Sequence, residues 1–133
     1  MRTTYLLIVV TLGLIGCGNN NEFPSELRGT YEMSRLLGTD NVHIAVDANS
    51  FTMSECDVNC PDLTMRFTTI DCTTNAGLRT CHVESADCTG TVEEGIGSTR
   101  SLSVSLTAKP GLTGEAAEHR QVNCYQHSGD LSQ

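Results

Sequence analysis

The sequence predicts an all-β domain, a small antiparallel meander that forms a barrel or a sandwich of about seven or eight strands and is stapled by disulfide bonds. Three observations lead to this prediction. Apolar and polar residues alternate with a period of two in most segments. Turn-forming residues recur roughly every eight to twelve residues. No segment keeps the roughly 3.6-residue period of an amphipathic helix.

The first predicted strands lie between Leu27 and Ile70. LRGTYEMSRLL suits a strand because of its threonine and tyrosine. NVHIAV, SFTMSE and TMRFTTI follow, separated by the turn DAN and by a loop whose Pro61 cannot donate to a strand ladder. The residues expected to point inward are Val42, Ile44, Val46, Phe51, Met53, Met65, Phe67 and Thr69.

The later strands are predicted after the turn TTNAG. LRTCHVE, CTGTVEE and RSLSVSLTA alternate, with turns at SAD and GIGS. Cys81 and Val83 are expected to share one face of their strand, and Leu102, Val104 and Leu106 are expected to point inward. KPGLTGEAAEHR is expected to be a connection with one helical turn near Glu115 to His119. QVNCYQH is predicted as the last strand, and SGDLSQ as a frayed tail.

The first sixteen residues have the plan of an export signal. Arg2 gives a positive start, and the apolar run Tyr5 to Ile15 is shorter than the roughly 20 residues of a membrane-spanning helix. The run ends in Leu14-Ile15-Gly16-Cys17, which resembles the lipobox of bacterial lipoproteins. The resemblance implies a diacylglyceryl group on the Cys17 thiol, cleavage just before Cys17, and acylation of the new amino group. It also favours the outer membrane, because Gly18 stands where lipoproteins kept in the inner membrane carry aspartate.

Three regions are therefore expected: residues 1–16 as the signal peptide, residues 17–26 as a lipidated polar tether, and residues 27–133 as a single β-domain.

The chain is acidic. Without Arg2, seven of the eight basic residues remain against sixteen acidic ones, which makes the mature charge −9. A surface of this charge repels phosphate backbones, so no nucleic-acid partner is expected. We expect the chain to attach to the membrane through the lipid on Cys17.

Six of the seven cysteines form an even set in an exported chain: Cys56, Cys60, Cys72, Cys81, Cys88 and Cys124. With three Phe, three Tyr and no Trp, the core is short of aromatic residues, and disulfide bonds suit such a domain. Sequence alone does not fix the pairing. If a hairpin turn centres on Asn75 to Gly77, Cys72 lies opposite Cys81. The expected pairs are then Cys72–Cys81, Cys88–Cys124 and Cys56–Cys60.

No group of residues points to catalysis, a metal or a cofactor. Cys56 and Cys60 together with His43 or His82 contain the residue types of a zinc site, but nearby cysteines of an exported chain pair with each other. The chain has no Gly-x-Ser-x-Gly elbow, Ser-x-x-Lys or His-Glu-x-x-His motif, and no phosphate-binding loop. We therefore expect no enzyme activity, no metal and no cofactor.

LRGTY (Leu27 to Tyr31) resembles the Gly-x-Trp opening of lipocalin-like barrels in Gly29 and in Tyr31, which stands where those barrels carry Trp. The resemblance implies a barrel that holds a small apolar ligand. Two functions are therefore expected ahead of an enzyme. The first is a lipid-anchored envelope protein whose non-catalytic domain binds a protein partner or supports the envelope. The second is a carrier of a small apolar ligand. Large inward residues favour the first, because they fill a narrow barrel.

Overall fold

The computed structural model describes residues 21–33, 42–54, 62–97, 100–111 and 113–133, in which eight antiparallel strands close into one barrel. The strands are β1 (Gly29–Met33), β2 (Val42–Val46), β3 (Ser50–Ser54), β4 (Leu63–Asn75), β5 (Leu78–Ser85), β6 (Cys88–Glu94), β7 (Ser101–Ala108) and β8 (Gly129–Ser132). Helix α1 (Glu115–Gln126) lies between β7 and β8, and a short 3-10 turn at Ser25–Leu27 precedes β1.

Each strand pairs with its neighbour in sequence, and β1 pairs with β8 to close the barrel. The predicted meander is confirmed, and it is a barrel and not a sandwich. The hairpin of β4 and β5 has the register expected from its turn, with Cys72 opposite Cys81. At that turn Ala76 and Gly77 both have positive φ (53° and 83°), which the tight connection requires and which glycine adopts without strain.

The alternating residues form the core, because successive side chains of a strand point to opposite faces of the sheet. The largest fully buried side chains are Tyr31, Phe23, Phe51, Leu27, Ile44, Met53, Ile70, Leu102, Leu106, Leu131, Val83 and Val92. Thr69 was expected inward but is only half-buried. The register of β4 against β5 shifts between Phe67 and Thr69, and this irregularity turns Ile70 into the core instead.

The C-terminal part differs from the prediction. Residues 121–126 of the predicted last strand belong to helix α1, and the last strand is β8, in the segment expected to be a frayed tail. In α1 only Cys124 is buried, so the helix has no apolar stripe that a sequence pattern could show. β8 is fixed by pairing with both β1 and β7 and by burial of Leu131.

The packed part of the chain begins before Leu27, where the domain was expected to start. Phe23 is fully buried, and its ring stacks on Phe51 at 5.4 Å and meets the edge of Phe67 at 5.6 Å between centroids. Its main-chain N–H donates to Ala48 O at 2.7 Å. Residues 23–26, assigned by sequence to the polar tether, therefore include a core residue.

The barrel has two different ends. The N-terminal segment lies at the end with the β2–β3, β4–β5 and β6–β7 turns, where Phe23 bonds to Ala48 and Glu26 pairs with Arg79; we call this the entry end. The β5–β6 turn and helix α1 lie at the opposite end, which we call the cleft end. No helix among the described residues has the length and apolar content needed to cross a bilayer.

Candidate functional site

A cleft of about 280 Å³ opens at the cleft end of the barrel. Three pieces of chain line it: the first residues of β4 (Leu63, Thr64, Met65, Arg66), the β5–β6 turn (Ser85, Ala86, Asp87, Cys88), and Asn123 and His127 from the end of α1. The lining combines main-chain and polar groups with the half-exposed side chain of Leu63, which is 38% exposed. Such a mixture suits a recognition site more than a buried reaction centre.

A disulfide bond holds the helical wall of the cleft in place. Cys124 of α1 is bonded to Cys88 at the start of β6, with their Cα atoms 5.9 Å apart, and both residues are buried. The N-cap residue of the helix, Gly114, offers no side-chain cap, and Cys124 is the one buried residue of α1. Because hydrophobic packing of α1 is so limited, the covalent bond is the main link that positions this wall.

Hydrogen bonds fix the C-terminal end of α1 against two strands. His127 is 2% exposed, and its Nδ1 lies 2.9 Å from Asn123 O while its Nε2 lies 3.5 Å from Leu63 O at the start of β4. Ser128 Oγ donates to Cys124 O at 2.9 Å and accepts from Leu106 N of β7 at 2.9 Å. The helix end is therefore tied to both β4 and β7 at the cleft end of the barrel.

The cleft contains a serine, an aspartate and a histidine, but they do not contact one another as a nucleophile, a base and an orienting group would. Ser85 Oγ accepts the N–H of Cys88 at 2.9 Å. Asp87 pairs with Arg120 at 3.4 Å, and both ring nitrogens of His127 face main-chain oxygens. Each of the three side chains is thus engaged in holding the turn or the helix.

Arg66 supplies an exposed positive charge to the cleft wall. Most other basic residues of the described chain form ion pairs, and these are Arg28–Glu22, Arg79–Glu26, Lys109–Glu84 and Arg120–Asp87. Arg100 lies near the Tyr31 hydroxyl. Arg66 forms no ion pair with any described residue, so its guanidinium is open to an anionic group from outside.

The interior of the barrel is the second place where a ligand could bind. Side chains that line a ligand-sized cavity keep accessible area, because water-sized probes reach them. Tyr31, Ile44 and Phe51 are 0% exposed, and Met53 and Ile70 are 1% exposed. Phe23 and Leu27 fill the entry end. The part of the interior formed by described residues is therefore packed with side chains.

The cysteines predicted as site residues fall into two groups. Cys17, Cys56 and Cys60 fall outside the described residues. Cys72 and Cys81 are bonded, as are Cys88 and Cys124, so both pairings predicted for these four residues are confirmed.

The two strand histidines lie in different strands, His43 in β2 and His82 in β5, whereas Cys56 and Cys60 fall outside the described residues. His43 lies across from Glu32 and Ser54 on the outer face of the barrel, and His82 lies across from Asp71 and Thr91. No group of three or more histidine, cysteine or acidic side chains within the described ranges is arranged to hold a metal ion.

The sequence did not point to the cleft. Asn123 and His127 were assigned to a strand. Neither the cysteine pairing nor the alternation of β4 indicates an opening between β4 and the end of α1. No protein-family model matches the chain, and no significant match was found among curated proteins or solved structures.

Proposed function

We propose that this chain is a lipid-anchored envelope lipoprotein whose non-catalytic barrel binds a protein partner. The anchor would be Cys17, at the end of the short apolar run Tyr5 to Ile15. Two disulfide bonds support an oxidising compartment outside the cytoplasm. Gly18 after the cysteine supports the outer membrane as the site of anchoring.

The observation that carries the choice of a binding domain over a carrier is the packed interior. Tyr31, Ile44 and Phe51 occupy the space that an apolar ligand would need, and they have no exposed surface. A carrier of this size holds its ligand inside the barrel. Recognition by a packed barrel must use the outer surface, and the cleft beside Arg66 is a concave part of that surface lined by three separate pieces of the chain.

The anchor is tested by fatty-acid labelling in a bacterial host that processes lipoproteins. The wild-type chain should incorporate the label and shorten by the length of the signal, whereas Cys17→Ser should remain an unlabelled precursor. Cys56→Ser serves as a matched cysteine control and should still be labelled. Label retained on Cys17→Ser would contradict the anchor.

The packed interior is tested by solvent extraction of the purified protein, followed by mass spectrometry. Acyl chains attached to Cys17 stay with the protein, so any extracted lipid must be non-covalently bound. We expect less than a stoichiometric amount of such lipid. A single apolar species at one molecule per chain would favour the carrier over the partner-binding domain.

A further inference from the structure

Strand β4 is longer than both of its neighbours, with thirteen residues against five in β3 and eight in β5. Its pairing with β5 begins at Phe67 opposite Ser85. The four preceding residues, Leu63 to Arg66, pair with β3 but have no partner strand on the β5 side. The β5 chain leaves the sheet at this point and turns through Ala86 and Asp87 into β6.

The main-chain groups on this open side belong to Thr64 and Arg66. Phe67 N–H donates to Asn49 O at 2.8 Å, so Phe67 directs its main chain toward β3. N–H and C=O groups of successive residues alternate between the two sides of a strand. Thr64 and Arg66 therefore direct theirs away from β3, toward positions where a continued β5 would have placed Ala86 and Cys88. The cleft lies at this position.

The other overhang of β4 is covered by the chain itself at Ile70. Beyond the end of β3, Ile70 N donates to Asn21 Oδ1 at 3.4 Å, so the N-terminal segment supplies an acceptor to that edge. Bare strand edges are usually covered or protected, because they pair with any extended chain that approaches. The edge at Thr64 and Arg66 is left open beside a concave space, which is the arrangement used for recognition by strand addition.

We propose that this edge binds an extended segment of a partner protein as an added strand, and that Arg66 selects a segment carrying an acidic side chain. This inference rests on the proposed partner-binding function and names its site. Thr64 and Arg66 would exchange main-chain hydrogen bonds with the added strand, and Leu63 would give an apolar contact at the start of the edge. A carboxylate of the segment would pair with the Arg66 guanidinium.

Two groups of measurements test the site on the full-length protein in detergent. In amide hydrogen exchange, Thr64 and Arg66 should exchange at least tenfold faster than Met65 and Phe67, which donate toward β3. Fluorescence anisotropy should then detect binding of a labelled five-residue peptide of alternating threonine and valine with a central aspartate. The same peptide with a central lysine should bind at least tenfold more weakly, and N-methylation of its pairing amides should abolish binding.

Variants of the protein separate main-chain pairing from charge. Thr64→Pro removes one N–H from the open edge and keeps the hydrogen bonds between β4 and β3. It should weaken binding of the aspartate peptide at least tenfold, whereas Thr64→Ala should not. Arg66→Glu should reverse the preference between the two peptides, and Arg79→Glu at the entry end should leave it unchanged. If Thr64→Pro fails to fold, the N-methylated peptide tests the same hydrogen bonds from the other partner.

Several outcomes would overturn the proposal. Protected amides at Thr64 and Arg66, or equal binding of the N-methylated peptide, would exclude strand addition. If no peptide binds and Arg66→Thr makes the protein self-associate, Arg66 serves only to keep a bare edge from pairing with a second copy. A native envelope partner bound equally well by the wild type and Thr64→Pro would reject this site but leave the partner-binding function intact.

Discussion

Replacing Phe23 by alanine tests where the folded domain begins. The sequence places Phe23 in a polar tether, where a substitution changes stability by no more than about 0.5 kcal/mol. In the structure the side chain is 0% exposed and touches two other phenylalanine rings. Truncating a buried phenylalanine to alanine typically costs about 3–5 kcal/mol, because apolar burial is lost and a cavity remains. We expect a loss of this size.

The contribution of the rings themselves can be isolated. Phe23 contacts Phe51 and Phe67, and each aromatic pair contributes about 0.5–1.5 kcal/mol beyond its buried area. Phe23→Leu retains most of the apolar burial and loses both pairs, so it should cost about 1–3 kcal/mol. Glu22→Ala is the control, because its exposed pair with Arg28 is worth at most about 1 kcal/mol.

Urea unfolding of the chain from Gly18 onward, followed by far-ultraviolet circular dichroism, measures these differences. The slope of free energy against urea should stay constant among the variants, so that shifts of the midpoint report stability. A loss below about 0.5 kcal/mol for Phe23→Ala would refute the placement of Phe23 in the core. A loss in Glu22→Ala as large as that in Phe23→Ala would show that the segment acts through its charges instead.

Two further predictions concern the two disulfide bonds and the buried Tyr31. Removing the Cys88–Cys124 bond, which closes a separation of 36 residues, should cost about 4 kcal/mol in the chain-entropy model, against about 2.5 kcal/mol for the 9-residue separation of Cys72–Cys81. Urea unfolding of the two double serine variants measures this, and the reverse order would contradict it. Burial raises the pKa of the Tyr31 phenol, so the folded chain keeps a proton that the unfolded chain loses above its ordinary pKa of 10.0. The stability that this group contributes is complete below about pH 10 and falls as the pH rises through the raised pKa of Tyr31. Tyr31→Phe should therefore lose less stability than the wild type between about pH 8 and about pH 11. An equal loss in both proteins would show that another group causes the alkaline decline.

The strands were predictable because their residues alternate, and alternation alone sets which face is buried. Val42, Ile44 and Val46 in β2 are all buried, as the pattern required. The Cys72–Cys81 bond was predictable for a related reason. The turn residues Asn75 to Gly77 fix the register of the hairpin, and register fixes which residues face each other.

Helix α1 and the packing of Phe23 were not predictable from the same signals. The helix has one buried side chain and depends on a bond to Cys88, which is far away in sequence, so its own residues carry little periodic information. Phe23 is the one aromatic residue of a mainly polar segment, and its burial depends on rings from β3 and β4. The cleft exists because β4 extends four residues beyond its pairing with β5, and the turn-forming residues of the sequence did not show this difference.

The position of the N-terminal segment relates the proposed anchor to the proposed binding edge. Residues 23–26 lie at the entry end, and Asn21 follows Cys17 by four positions, a span of at most about 14 Å when fully extended. The entry end would therefore lie close to the bilayer. The edge at Thr64 lies at the other end of the strands, roughly 20 Å further along the barrel axis for an eight-residue tilted strand such as β5.

This geometry predicts that the binding edge faces away from the membrane, toward partners in the surrounding compartment. The lipidated protein in nanodiscs containing spin-labelled lipid tests it by nuclear magnetic resonance. Signals of the β4–β5 turn at Ala76 should broaden strongly, while those of the β5–β6 turn at Ala86 should not, because paramagnetic broadening falls steeply with distance. The unlipidated chain from Gly18 onward is the control and should show neither effect. Stronger broadening at Ala86 than at Ala76 would place the cleft against the bilayer and would exclude a soluble partner for the open edge.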